Sequence, residues 1–120
     1  MIKPIADETR RLAAATHFSL AGLRSTYRNE PAFRQEVICC LIALPLAWWI
    51  ADDALDYALL VGSSLLVLIV ELLNSAIEAV VDRIGEDYHE LSGRAKDAGS
   101  AAVLMTIVMA LLVWIGVAAT

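Results

Sequence analysis

Four polar side chains interrupt an apolar stretch: Glu71, Asn74, Glu78 and Asp82. Their spacing is i, i+3, i+7, i+11. At roughly 100° per residue they fall near 0°, 300°, 340° and 20° on a helix, so one face carries all four. The other directions hold Leu72, Leu73, Ala76, Ile77, Val80 and Val81. A charge at mid-bilayer costs on the order of 3 kcal/mol on insertion scales, so carboxylates retained there are functional candidates. A carboxylate in a low-dielectric site is avid for a proton, which suits Glu71 to the work of a general base. The bland alternative is a polar seam that only ties helices together. Two carboxylates and an amide on one face favour a site.

The elements that must position this face are membrane spans. The chain has 120 residues, 59% of them apolar and 19% charged, with a net charge of −5. Residues 37–51, 57–70 and 98–120 contain no charge at all. Blocks of that length point to a bilayer. They exclude disorder, a basic DNA-binding domain and a disulfide scaffold, so no nucleic-acid partner is expected. Three spans fit, from about Pro31 to Ala51, from about Asp53 to Ile84, and from about Ser92 to the C-terminus. The first reaches length only by taking in Arg34 and Glu36 near its mouth. The second is long enough only if its carboxylates tolerate membrane depth. Fourteen uncharged residues before Glu71 cover about 21 Å, leaving Glu71 roughly 9 Å inside the inner boundary of a 30 Å core. Such a stripe is a notch between lipid and cytoplasm rather than a channel.

Every Lys and Arg lies before the first span (Lys3, Arg10, Arg11, Arg24, Arg28, Arg34) or between the second and third (Arg83, Arg94, Lys96). The positive-inside rule then puts the N-terminus in the cytoplasm. Trp48, Trp49, Tyr57 and Trp114 are expected in an outer aromatic belt, and Tyr27, Phe33 and Tyr88 near the inner one. No apolar run of a signal peptide follows Lys3. Residues 5–28 are expected to form a helix on the cytoplasmic surface, with Ile5, Leu12, Leu20, Leu23 and Tyr27 on one face. Pro31 suits a first helical turn, and Pro45 a mild kink. Cys39 and Cys40 are expected to be inert packing thiols.

The loop from Asp82 to Asp97 brings Glu86, His89, Arg94, Lys96 and Asp97 to the mouth of the notch. Arg94 and Lys96 near the start of the third span could bind phosphate. Taken alone, the loop reads as solvated positive-inside charge. No Walker A or Gly-rich kinase loop occurs, and His89 has no partners for a zinc site.

The segment Glu71 to Asp97 resembles the signature of the bacterial integral-membrane diacylglycerol kinases. The likeness extends to Gly22-Leu23-Arg24, to Asn29 through Glu36, and to Gly99 through Leu104. It implies an all-α integral membrane protein of one domain, with three transmembrane helices and an amphipathic surface helix, assembled as a homotrimer with sites shared between protomers. It implies transfer of the γ-phosphoryl of Mg-ATP to diacylglycerol at the bacterial inner membrane, giving phosphatidate. Undecaprenol kinases are a related branch. By this resemblance Glu71 is the general base, Glu30 and Glu78 hold Mg²⁺, and Asn74 supports them. Arg94, Lys96 and Asp97 answer to phosphate and nucleotide positions, as do Glu86 and His89. Arg11 and Ser19 match surface-helix positions lining the site. The chain departs from the family at Leu20, Ala21 and Tyr27, where tryptophan, lysine and tryptophan are common; these bear on lipid anchoring. A proton-coupled transporter and a non-catalytic helper subunit are the alternatives from other classes. The inward-only stripe disfavours the first, because transporters use acids open to both sides.

Overall fold

The computed structural model describes residues 5–120, so Lys3 lies outside the described residues. The described chain is entirely helical. Four helices follow in order: α1 (Ile5–Asn29), α2 (Pro31–Ile50), α3 (Ala54–Ile84) and α4 (Glu90–Ala118). The last three are long and apolar enough to cross a membrane.

Local chemistry sets each boundary. Glu30 is the extended residue between α1 and α2, and Pro31 opens α2 without needing an N–H donor. Arg34 Nη1 bonds the carbonyls of Tyr27 and Arg28 at 2.8 and 2.9 Å. A cation thereby satisfies orphan carbonyls at the negative end of α1 and fixes how α1 leaves α2. The outer turn is tight. Asp53 Oδ1 accepts the Asp56 N–H at 2.8 Å, and Asp56 Oδ2 accepts from the Asp52 N–H at 3.3 Å. Two of the three acids of this loop thus act as helix-start acceptors. At the other end of α3, Gly85 closes the helix. The α4 helix begins at Glu90, slightly earlier than the expected Ser92, because His89 Nδ1 accepts the Leu91 N–H at 3.1 Å and caps it.

The α3 helix is central. It packs most extensively against α4, next against α2, and lightly against α1. The packed interior is small: Phe33, Ala47, Leu60 and Val81 are the buried apolar residues. Most large apolar side chains of α2 and α4 face outward, including Ile38, Leu41, Leu104, Met105 and Leu112. A water-soluble domain would hide these, so the outward face is one that lipid or further helices must cover.

Polar groups tie the apolar helices where hydrophobic contrast cannot. Trp114 Nε1 of α4 donates to Ser64 Oγ of α3 at 3.1 Å. Cys40 Sγ of α2 reaches the Ser64 carbonyl at 3.2 Å. Trp114 therefore spends its N–H on α3 inside the bundle. Trp48 and Trp49 are strongly exposed, and Trp48 meets Tyr57 edge-on at 5.8 Å. Both cysteines are free thiols.

Candidate functional site

Glu71 lies on the inner face of α3 with only 7% of its surface exposed. Among the described residues it is one of three buried polar ones, with Ser63 and Thr106. Those two hydroxyls bond back to carbonyls of their own helices. Glu71 is the buried carboxylate, and its surroundings are acidic: Glu78, Glu30 and Glu36 all lie within electrostatic reach. Four carboxylates from two helices and the turn between α1 and α2 thus converge near the inner end of the bundle. Like charges at this depth repel and are poorly hydrated. Such a group calls for protons or a cation.

Glu78 and Asn74 are half-buried one turn apart, and Asn74 Nδ2 donates to Glu78 Oε1 at 3.4 Å. Glu30 caps α2 by position, but its side chain makes no capping bond. Glu30 lines a recess of about 370 Å³ whose walls mix Ser25, Thr26, Asn29 and Ser75 with Leu72 and alanines of α3. Two buried oxygens lack any partner: Asn74 Oδ1 and Glu36 Oε2.

Beside Glu71 the structure offers apolar space. A groove of about 180 Å³ runs between α2 and α3, lined by residues such as Val37, Leu41, Leu44, Leu65 and Leu68. A second recess continues from it, because Val37 and Leu68 line both, and adds Tyr27, Arg24 and Arg28 of α1. Val37 follows Glu36 directly and Leu68 lies three residues before Glu71. The groove therefore comes within one turn of α3 of Glu71, and Arg24 and Arg28 line the second recess.

Comparison with known proteins gives the family. The family described as "Prokaryotic diacylglycerol kinase" matches residues 17–118. The chain belongs to the prokaryotic diacylglycerol kinase family. It is 57% identical over 104 residues to the diacylglycerol kinase of Escherichia coli K12, covering 87% of this chain and 85% of the relative. It is 47% identical over 106 residues to that of Haemophilus influenzae, with 88% and 90% covered. For the Pseudomonas aeruginosa enzyme the identity is 44% over 105 residues, with 88% and 85% covered. The chain is thus an enzyme of the kinase class, built on helices able to cross a membrane.

For a diacylglycerol kinase of this family, the other expected positions divide into two groups. Lys96 of α4 is held beside the acidic face, paired with Asp82 of α3 at 2.7 Å. Arg94 and Asp97 are exposed on the same first turns of α4, and Glu86 and His89 are exposed just before it. Capping fixes the His89 ring with Nδ1 as acceptor, so the proton of the neutral ring sits on Nε2. Arg11 and Ser19 are not brought to the acidic cluster by any hydrogen bond. Arg11 pairs with Glu8 at 2.9 Å, and Ser19 Oγ donates to the Ala15 carbonyl, both within α1.

No set of three or more His, Cys, Asp or Glu side chains is arranged to hold a metal among the described residues. The donor chemistry nevertheless fits a hard cation. Glu30 and Glu78 are both carboxylate donors, and Mg²⁺ takes one or two carboxylates plus phosphate oxygens rather than an all-protein cage.

Glu36 joins the acids around Glu71; the sequence presents it as a charge at the mouth of the first span and as part of the family-like segment Asn29 through Glu36, without a role. The signal lay in its helical phase: Phe33, Glu36, Cys40 and Ala47 lie within about 60° of one another. Phe33 and Ala47 are buried. An acid on the inward face of α2 points at α3.

Proposed function

We propose that the chain transfers the γ-phosphoryl group of ATP to the free hydroxyl of diacylglycerol at the cytoplasmic face of the bacterial inner membrane. The observation that carries this reading is the buried Glu71 carboxylate, one turn of α3 from an apolar groove and within electrostatic reach of Glu30 and Glu78. A lipid acyl chain fits the groove, which brings a glycerol hydroxyl toward Glu71. A polar co-substrate approaches from the side of α4. The names of the relatives support diacylglycerol as acceptor.

In this mechanism Glu71 accepts the proton of the lipid hydroxyl as the oxygen attacks the γ-phosphorus. The bond from that phosphorus to the bridging oxygen breaks, and ADP leaves with the bridging oxygen. Glu30 and Glu78 would hold Mg²⁺, which when bound neutralises charge on the transferring phosphates. Asn74 orients Glu78 through its amide. Lys96 leaves Asp82 to meet the phosphates, with Arg94 adding a second cation. Asp97, Glu86 and His89 border the nucleotide, with His89 Nε2–H directed outward as a donor. Arg11 and Ser19 of α1 join the site when nucleotide is bound.

The α1 helix lies on the cytoplasmic surface, with Leu12, Leu20, Leu23 and Tyr27 toward lipid. Three copies form a closed trimer that covers the outward apolar faces and completes shared sites. A polar stripe in lipid is hidden only against neighbours, and closed cyclic symmetry does this with one repeated interface.

The test is an assay in mixed micelles of ATP with diacylglycerol or undecaprenol, with and without Mg²⁺. Mg²⁺-dependent phosphatidate is expected. Phosphorylated undecaprenol alone would move the chain to the related branch, and no phosphorylated lipid would sink the kinase reading. Cross-linking in the same micelles should give trimer; monomer alone would contradict shared sites.

A further inference from the structure

Gly99 stands in the interior of α4, where glycine costs about 1 kcal/mol of helix stability relative to alanine. Its φ is not positive, so backbone freedom does not explain it. Its neighbour does. A Cβ built on Gly99 would overlap Asn74 Oδ1 of α3 and crowd the carbon that bears it. No such contact waits at Gly22, Gly62, Gly85 or Gly116, where added carbons meet open space. Gly99 is one of only two residues of α4 that are buried.

The Asn74 amide is therefore held from two sides. Its nitrogen donates to Glu78 Oε1 at 3.4 Å. A carboxylate only accepts, so this bond sets which end of the amide faces Glu78. Its oxygen is buried against the bare Cα of Gly99 and has no hydrogen-bond partner. An unpaired buried amide oxygen costs roughly 1–3 kcal/mol, so packing must hold it there.

We propose that Gly99 is a positioning residue: its missing side chain is the seat in α4 that locks the Asn74 amide against Glu78 and so sets how Glu78 is presented. Any added Cβ pushes the amide off the seat, breaks the Asn74–Glu78 bond and leaves the carboxylate free to swing. The catalytic consequence rests on the proposed role of Glu78 toward Mg²⁺; the seat itself does not.

The test has a structural and a kinetic arm. In the metal-free protein in micelles, the side-chain amide resonance of Asn74 is identified by its loss in Asn74→Ala. It should shift in both Gly99→Ala and Glu78→Gln. An unmoved resonance in Gly99→Ala overturns the proposal. In the lipid kinase assay, Gly99→Ala should cost about 10- to 100-fold in activity and raise the Mg²⁺ needed for half-maximal rate, as loss of a ligand's supporting partner does. On an Asn74→Ala background the same substitution should cost less than about twofold, because the partner it displaces is gone. Equal losses on both backgrounds overturn the proposal. If Gly99→Ala does not fold, the double variant decides: Gly99→Ala with Asn74→Ala should fold, and its failure, with Asn74→Ala alone folded, overturns the seat. A wild-type chain inactive on every lipid would sink the kinase reading alone, and the resonance would still decide the seat.

Discussion

Lys96 of α4 is clamped to Asp82 of α3 at 2.7 Å, at the end of the helix pair next to the loop that joins α3 to α4. The two side chains come from segments on either side of the connecting loop, and both remain partly open to solvent. Exposed pairs of this kind add little to stability. Asp82 instead competes with any phosphate for the same ammonium group. Asp82→Asn should leave thermal stability close to wild type and lower KM for ATP a few-fold. Lys96→Met should raise KM and lower kcat. Titration of both variants with ATP at saturating lipid checks this; a higher KM in Asp82→Asn would mean that Asp82 presents Lys96 rather than competing for it.

Glu71→Gln keeps the size of the side chain and removes the proton acceptor. A positioned base contributes typically about 10²- to 10⁴-fold, and the loss should appear in kcat rather than in KM for either substrate. Folding should be unharmed, because the amide removes one of four converging like charges. Steady-state kinetics with a near-wild-type kcat would take Glu71 out of the base role. Loss of folding instead would mark it as a structural group.

Glu78→Gln removes a hard anionic donor and leaves a neutral oxygen. The Mg²⁺ concentration for half-maximal rate should rise by about tenfold or more, with part of the rate recovered at high Mg²⁺. Glu30→Gln should behave alike, because its carboxylate makes no capping bond that would confound the result. A Mg²⁺ titration with an unchanged midpoint in both variants would leave the cation to other oxygens, with Glu36 next in line.

What a single helix contains was open to sequence reasoning. Glu71, Asn74 and Glu78 share one α3 face because 3.6-residue periodicity is a property of one segment. The ends of α3 follow from Asp53, which caps it, and from Gly85, which closes it. Relations between helices were not open in this way. Nothing local tells that Glu36 of α2 looks at Glu71, that Asp82 holds Lys96, or that Gly99 is the floor under Asn74. Each depends on how two apolar helices cross. Apolar pattern fixes that weakly in lipid, where every direction around a helix is acceptable. The aromatic-belt rule did not tell the Ser64 partner of Trp114 for a related reason. It weighs depth alone, and an indole N–H given a buried hydroxyl such as Ser64 takes that partner.

The Trp114–Ser64 bond is also the place to measure what holds α3 to α4 away from the acidic cluster. Trp114→Phe keeps most of the ring and removes the donor to Ser64 Oγ. Ser64→Ala removes the acceptor and leaves the indole N–H unpaired, while the Ser64 carbonyl remains for Cys40. Hydrogen bonds between membrane helices are worth about 0.6 kcal/mol on average and rarely more than about 1.7. The coupling energy from a double-mutant cycle of these two substitutions should fall in that range. Reversible unfolding in mixed micelles, with denaturing detergent as the variable, gives the four stabilities needed. Because the bond lies well up α3 from Glu71, KM for ATP should be untouched in all three variants. A coupling near zero would show that the indole finds another partner, and a changed KM would show that this contact sets the register in which α4 presents Lys96.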